Sequence, residues 1–265
     1  MQNMINKPAV LCAEILRGVA ELAHAAAAAY GNGKSVQYLT STGDYASAGS
    51  FAELLERASF EKRATARAAA MLRHAGVPQH GVKTALILLD ALLSRGTQAG
   101  CTKEDWRKVG EMLGYASDCL EQIAAENSGR VVGCGLTLLT LCRPLRKYGR
   151  EHHCPQAAGV LTCALEQPLL KLAEAAGRDG YEVYERVKAL APNQFFSLNQ
   201  VGIERSIQTV SVHTDYIRVG LDPQDGNIKD LCTAGRMVDV QEVRQMLDFV
   251  GRALAAVLDT AAVID

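Results

Sequence analysis

Aromatic residues are scarce in this chain, and their scarcity limits the folds that it can adopt. Phe, Trp and Tyr make up 5% of the 265 residues, whereas apolar residues as a whole make up 48%, with Ala and Leu dominant. Such residues favour helices, while β-sheets draw on aromatic and β-branched side chains. The composition therefore predicts packed helices, in a chain long enough for one large helical domain or two small ones.

An excess of charge of one sign is also missing. The formal net charge is −1, so bulk charge gives no attraction to nucleic acid or to an acidic membrane. The sequence has no run of 18 apolar residues, which a transmembrane helix requires. Charged residues such as Glu14 and Arg17 interrupt the first apolar stretch, which argues against a secretory signal. We expect neither a nucleic-acid partner nor a membrane partner.

Paired cysteines are absent as well. The eight cysteines include no Cys-x-x-Cys pair, and a chain of this length does not need disulfides to fold. We expect them to be small core residues of a cytoplasmic protein. His152, His153 and Cys154 are adjacent, but adjacent side chains point apart and no second ligand pair has metal-site spacing. We therefore predict no metal site.

Apolar periodicity predicts most of the helices. Thr102 and Asp105 have the spacing of a helix cap, and Asp225-Gly226-Asn227 predicts the turn of a hairpin within 219–231. A β-prone piece occupies 36–40. The predicted helices are 9–29, 51–74, 81–95, 102–125, 157–176, 181–190 and 240–262.

The segment 76–93 is the most informative stretch of the chain. A loop of Gly and Pro residues leads into a strongly apolar helix, and the first backbone N–H groups of a helix have no intrahelical partner. This arrangement favours anion binding. Lys83 is either a fixed cation for that anion or a solvated lysine of the first helical turn. Gly33-Lys34-Ser35 looks like the end of a Walker A motif, but there a strand precedes and a helix follows, and here the predicted order is reversed.

The same segment resembles the loop and helix that hold ATP phosphates and magnesium in bacterial-type (group I) chaperonins, where the motif is Gly-Asp-Gly-Thr-Thr-Thr. His80 stands at the magnesium-binding Asp, Val82 and Lys83 stand at two of the Thr positions, and Thr84 matches the third. Imidazole is a poor ligand for magnesium. The resemblance thus implies a nucleotide pocket whose chemistry has been largely removed.

Further motifs extend the resemblance over nearly the whole chain. The matching segments are Leu16–Val19 (Leu-Arg-Gly-Val), Gly31, Thr40–Asp44 (Thr-x-Thr-Lys-Asp in the family), Arg130–Leu138 (Val-Val-Ala-Gly-Gly-Gly-Val-Ala-Leu), Ala164–Leu169 (Ala-Met-Glu-Ala-Pro-Leu) and Gly235–Asp239 (Gly-Ile-Leu-Asp-Pro). The family's hairpin between Gly31 and Asp44, which helps to close the ring of subunits, is shortened here.

The junction at 127–129 decides what the resemblance implies about domains. In a full chaperonin the intermediate and apical domains lie between the segments that match the two sides of this junction. Here a short turn replaces both. The resemblance implies one equatorial-type domain over 1–265, with halves 1–127 and 128–265 and an insertion at 192–215. Its fold would be a mostly α helical bundle with one or two small β-hairpins.

The resemblance also implies a degenerate nucleotide pocket with no catalytic residue and no metal ligand, because the family's second catalytic Asp belongs to the intermediate domain. Its cofactor would be none, or weakly bound ATP or ADP. The same Gly and Asp residues are also those that turns and helix starts require. The pocket residues are Gly31, Asp44, Gly81, Lys83, Thr84, Gly133, Gly135 and Asp239.

The expected function is that of an ATPase-deficient interaction or assembly protein that acts through protein–protein contacts. Its partner would be another protein or a second copy of the chain, bound through 192–215, whose apolar content argues against disorder. No co-chaperonin is expected. The alternatives are a module that still binds or slowly hydrolyses ATP, or an accessory subunit that modifies a full chaperonin ring.

Overall fold

A computed structural model describes five stretches of the chain: residues 12–30, 36–40, 44–125, 127–190 and 217–260. These stretches contain nine helices and three pairs of short antiparallel strands. The mostly α prediction is therefore confirmed. Gly31, Gly33-Lys34-Ser35 and the insertion at 192–215 lie outside the described residues.

Most of the predicted helix ranges agree with the structure, although no range was predicted for the helix at Leu136–Glu151. The helices are α1 (Ala13–Ala28), α2 (Phe51–Arg57), α3 (Arg63–His74), α4 (Val82–Gln98), α5 (Lys103–Ala125), α6 (Leu136–Glu151), α7 (Pro155–Ala175), α8 (Gly180–Leu190) and α9 (Val240–Asp259). The strands are β1 (Val36–Leu39), β2 (Tyr45–Ala48), β3 (Arg130–Val132), β4 (Val219–Leu221), β5 (Ile228–Asp230) and β6 (Met237–Asp239). Within the described ranges, no helix is both long and apolar enough to cross a membrane.

Helix α4 is at the centre of the core. It packs against α1, α7 and α9, and the pairs α6–α7, α1–α3 and α5–α9 surround it. Ala85 to Leu89 are all buried, so α4 buries more than one face, as expected of a helix inside a bundle. Each leucine that it buries contributes about 1.5–3 kcal/mol. The apolar run at 82–93 is thus the main source of core contacts.

The prediction of one helix over 51–74 is wrong, because the structure divides it into α2 and α3. Ala58 is extended and forms a bridge with Thr40, while the Ser59 amide donates to the carbonyl of Leu39. The chain between the two helices is therefore held by the end of β1. Arg73 stabilises the break, since its guanidinium donates to the carbonyl oxygens of Leu55 and Ala58 at 2.6 and 2.7 Å.

The predicted cap of α5 is confirmed. The amide of Asp105 donates to the hydroxyl of Thr102 at 3.1 Å, and the Asp105 carboxylate accepts from the Thr102 amide at 2.8 Å. This reciprocal pair satisfies two backbone donors at the helix start.

Two of the three strand pairs are local, and the third is not. Strands β1 and β2 pair, and β4 and β5 form the predicted hairpin. Strand β3 pairs with β6, with Arg130 opposite Asp239, and the Gly133 amide extends this ladder to the carbonyl of Arg236. This pairing was not predicted. It places the turn before α6 beside Arg236 and the start of α9 beside Gly129.

A buried carboxylate holds the β4–β5 hairpin together. Asp222 is fully buried, and its carboxylate oxygens accept from the Arg236 guanidinium at 3.0 and 3.2 Å. Lys229 lies 2.8 Å away and the Gln224 amide 3.0 Å away. Burial alone would raise the pKa of Asp222, but these donors outweigh it and hold the pKa well below its usual range. The carboxylate therefore stays ionised inside the fold.

Asp222→Asn should lower the free energy of unfolding by about 3 kcal/mol, the lower end for breaking a buried ion pair, because Arg236 and Lys229 keep some contact with water. Asp225→Asn removes a more exposed partner of Lys229 and should cost less than about 1 kcal/mol. Urea unfolding of the parent and both variants measures these differences. Equal losses from the two substitutions would contradict the assignment.

The effect of Asp222→Asn should also depend on pH in one direction. Because the folded-state pKa is depressed, the stabilisation is complete above the unfolded carboxyl value of about 3.9 and is lost as the pH falls below it. The difference in unfolding free energy between parent and variant should stay constant near neutral pH and shrink below about pH 4. A difference that grew on acidification would show that the sign is wrong.

Candidate functional site

A small cavity lies where three helices begin. Its volume is about 170 Å³, and it is bounded by the first turns of α4, α6 and α9 and by Tyr30, just after α1. The described residues that line it are Tyr30, Gly81, Thr84, Val132, Gly133, Cys134, Gly135, Thr137, Leu138, Val238, Glu242, Val243 and Met246. The pairing of β3 with β6 brings the lining residues from Val132 to Leu138 and those from Val238 to Met246 to the same cavity.

Glycine residues cap two of the three helices that begin at the cavity. Gly81 precedes α4 with φ of 74°, and Gly135 precedes α6 with φ of 80°, both in the left-handed region that other residues avoid. A Cβ on Gly135 would also lie 3.0 Å from the Leu169 amide nitrogen. These glycines are therefore required by the backbone, whatever the cavity binds.

The helix starts make this end of the cavity electropositive. Neither glycine has a side chain to accept from the first-turn amides, and the first turns of α4 and α6 contain no acidic residue. Each helix start carries roughly half a positive charge. Helix α9 differs, since Asp239 caps it and Glu242 lies in its first turn. The field thus favours an anion beside α4 and α6.

A hydrogen bond joins two side chains that line the cavity. The hydroxyls of Tyr30 and Thr84 are 2.8 Å apart. Burial raises the pKa of Tyr30 to about 12, although the hydrogen bond with Thr84 opposes the rise. Thr84 is the threonine that matches the motif of the resemblance, and its hydroxyl is hydrogen-bonded to Tyr30.

Lys83 points away from the cavity. Its ammonium donates to the carbonyl of Ala29 at 2.8 Å, at the end of α1. Burial lowers the pKa of this lysine. A cation that pairs with the last carbonyls of a helix stabilises that helix end. In the structure Lys83 therefore caps α1, and its role as an anion ligand stays a prediction.

Carboxylates are few around the cavity. Glu242 is the one carboxylate among the described lining residues, and its Oε1 lies 4.0 Å from Nε2 of His80. Asp239 is exposed and accepts from the Gln241 amide at 2.7 Å, which caps α9. Asp44 lies at the edge of the β1–β2 hairpin, exposed, and is not among the residues of the wall. No group of three or more His, Cys, Asp and Glu in the described ranges could hold a metal ion.

The structure thus brings together half of the predicted pocket. Gly81, Thr84, Gly133 and Gly135 line one cavity, whereas Lys83, Asp44 and Asp239 have other contacts. Gly31 lies outside the described residues.

Sequence reasoning missed Tyr30, Cys134 and Glu242. Cys134 stands between the two predicted glycines with φ of 57°, and burial raises the pKa of its thiol to about 11. The spacing of Asp239 and Glu242 is that of a helix cap, which is a signal that could have placed Glu242 near the site.

Comparison with known proteins adds no relative. No family model matches the chain, and no curated protein matches it. The resemblance to chaperonins therefore remains a hypothesis that rests on the motifs.

The geometry defines what this cavity can hold. Sites for drug-sized ligands measure about 300–1,000 Å³, so about 170 Å³ is small even for a compact ligand. The backbone amides of two helix starts can bind an anion of the size of one phosphate group. An entire nucleoside triphosphate with magnesium needs more room and more carboxylates than the described walls provide.

Gly135→Ala tests whether this glycine is required by the backbone. Alanine at φ of 80°, against the backbone of Leu169, should lower the unfolding free energy by about 2 kcal/mol. Gly159→Ala is the matched control. Gly159 is exposed within α7 with open space around its Cβ position, so alanine there should stabilise by about 0.5–1 kcal/mol. Thermal unfolding of the two variants measures both effects, and a neutral Gly135→Ala would contradict the assignment.

Proposed function

We propose that this chain is a chaperonin-derived interaction or assembly protein that does not hydrolyse ATP. The observation that carries the proposal is the cavity at the helix starts. It lies where the motifs predict a chaperonin-type nucleotide pocket, yet Tyr30 bonds to the remaining threonine and His80 faces Glu242. The protein would act through protein–protein contacts, with no catalytic residue and no cofactor beyond weakly bound ATP or ADP.

The loss of magnesium ligands supports the absence of hydrolysis. Phosphoryl transfer needs oxygen ligands for magnesium and a group that orients the attacking water. His80 stands at the loop position where the family has its Asp, and the ring of His80 is largely exposed. The resemblance places the second catalytic Asp on the intermediate domain, which the short turn at 127–129 replaces. Both requirements are thus missing at once.

The surface of the described residues supports a role other than client binding. Tyr181 is the one large apolar side chain that these residues expose, and it is isolated. Surfaces that capture unfolded proteins expose contiguous apolar patches. Among the described residues only Tyr181 is large, apolar and exposed, so these residues give no support to client binding.

ATP turnover is the first test. The purified chain should release no phosphate above background in the presence of magnesium. His80→Asp should not restore release, because the second catalytic group is still missing. The matched control is His74→Asp, at the exposed end of α3. Magnesium-dependent release by the parent, removed by Glu242→Gln or Asp44→Ala, would refute the proposal.

Weak nucleotide binding is the second candidate function. The two glycine-capped helix starts favour it, since no acidic residue in their first turns repels a phosphate. The proposal distinguishes binding from turnover, so a chain that binds ADP weakly without hydrolysis still agrees with it. An accessory subunit of a full ring would instead co-purify with a complete chaperonin.

The partner surface is the second test. The hypothesis assigns it to 192–215, on composition alone. A short Gly/Ser turn in place of 192–215 should keep the helical content and the melting temperature and should abolish self-association or partner capture. Tyr181→Ser is the control, because it removes an exposed ring from the described surface and should change neither. Association that persists without 192–215, measured by sedimentation or mass photometry, would contradict the assignment.

A further inference from the structure

A second cavity lies on another side of α4. It is formed by α1, α4 and α7, its volume is about 460 Å³, and it shares no lining residue with the cavity at the helix starts. This volume is within the range of about 300–1,000 Å³ that is typical of sites for small molecules. Nothing in the chaperonin resemblance assigns a role to it.

Alanines create the space. Ala20, Ala23 and Ala27 follow one another along a single face of α1, and Ala91 faces them from α4. Helices pack about 8–10 Å apart, and larger side chains at these positions would fill the gap between them. The faces of α1 and α4 on this side of the cavity therefore carry small apolar side chains.

Polar side chains surround this apolar floor. Three carry charge at neutral pH, namely Asp90, Arg95 and Lys171. The polar members of the wall are His24, Asp90, Ser94, Arg95, Gln98, Gln167 and Lys171.

Most of these polar side chains have no hydrogen-bond partner among the described residues. Lys171 pairs with Glu174 at 2.8 Å. Asp90 is half-buried, and burial raises its pKa while the charge of Lys171 opposes the rise. His24, Ser94, Arg95 and Gln98 are exposed at the mouth of the cavity. The cluster thus has free hydrogen-bonding capacity of both signs inside one cavity.

We propose that this cavity binds a small anionic metabolite that has an oxyanion at one end and hydroxyl or ammonium donors at the other. Arg95 holds the oxyanion as its main cation, because no acceptor among the described residues bonds to its guanidinium, and Lys171, which also pairs with Glu174, donates a second hydrogen bond. Asp90 accepts from the donors of the ligand. The alanine walls contact its carbon skeleton, and the two glutamine amides hydrogen-bond its middle. The proposal does not depend on the function of the other cavity.

The test is a calorimetric panel on the whole chain. The phosphate arm contains glycerol 3-phosphate and other phosphorylated polyols, the carboxylate arm contains glutamate and hydroxy acids, and inorganic phosphate is the probe without a carbon skeleton. At least one compound of either arm should bind with a dissociation constant of about 1 mM or lower, and inorganic phosphate should bind at least about tenfold more weakly. The arm that binds identifies the oxyanion.

Three substitutions connect the binding to this cavity. Arg95→Gln and Lys171→Gln should each weaken binding about tenfold or more. Asp90→Asn should weaken the binding of the compounds that have donors. It should leave the binding of inorganic phosphate unchanged or make it tighter. Arg186→Gln, an exposed arginine of α8, is the matched control and should change nothing. Melting temperatures of the unbound variants verify that all of them fold.

The proposal is overturned if no compound of either arm binds. It is overturned equally if one binds and Arg95→Gln, Lys171→Gln and Asp90→Asn leave its affinity unchanged. Hydrogen exchange gives an independent readout, since the ligand should slow exchange in α1, α4 and α7 of the parent and not in Arg95→Gln.

Discussion

The structure depends on one constraint, which is the burial of α4 along most of its length. Helix α4 packs against α1, α7 and α9 from Val82 onward, while its cap Gly81 is exposed and its first amides have no intrahelical carbonyl as a partner. Gly81 caps this start without a side chain, and Gly81 and Thr84 line the cavity. Helix α6 begins in the same way at Gly135. The two glycine-capped helix starts are therefore required by the backbone, whatever the cavity binds.

Under the proposed function, this dependence explains how a pocket can outlast its chemistry. The glycines stay because the backbone needs their left-handed conformations, and Thr84 stays with a hydroxyl partner in Tyr30. The positions that carry chemistry in the resemblance have changed. Lys83 caps α1, and His80 lies beside Glu242. At this site the residues that the fold requires are different from those that catalysis would require.

The sequence allowed the helices and the local hairpin to be predicted, because periodicity and turn residues are local signals. The break at Ala58 was missed because the bridge to Thr40 is made by the chain before α2. The pairing of Arg130 with Asp239 was missed for the same reason, since the two strands are far apart in the sequence. The positions of half of the predicted pocket residues depended on such long-range contacts. The contact of Lys83 could not be assigned without knowing that the end of α1 lies beside the start of α4.

The most direct test of this account is a titration of the purified chain with ATP, with and without magnesium. A cavity of about 170 Å³ with one carboxylate on its described walls should bind ATP with a dissociation constant weaker than about 1 mM. Magnesium should not tighten the binding. Micromolar binding that requires magnesium and is lost in Glu242→Gln would contradict the account, because it would show that the cavity binds a nucleotide together with its metal ion.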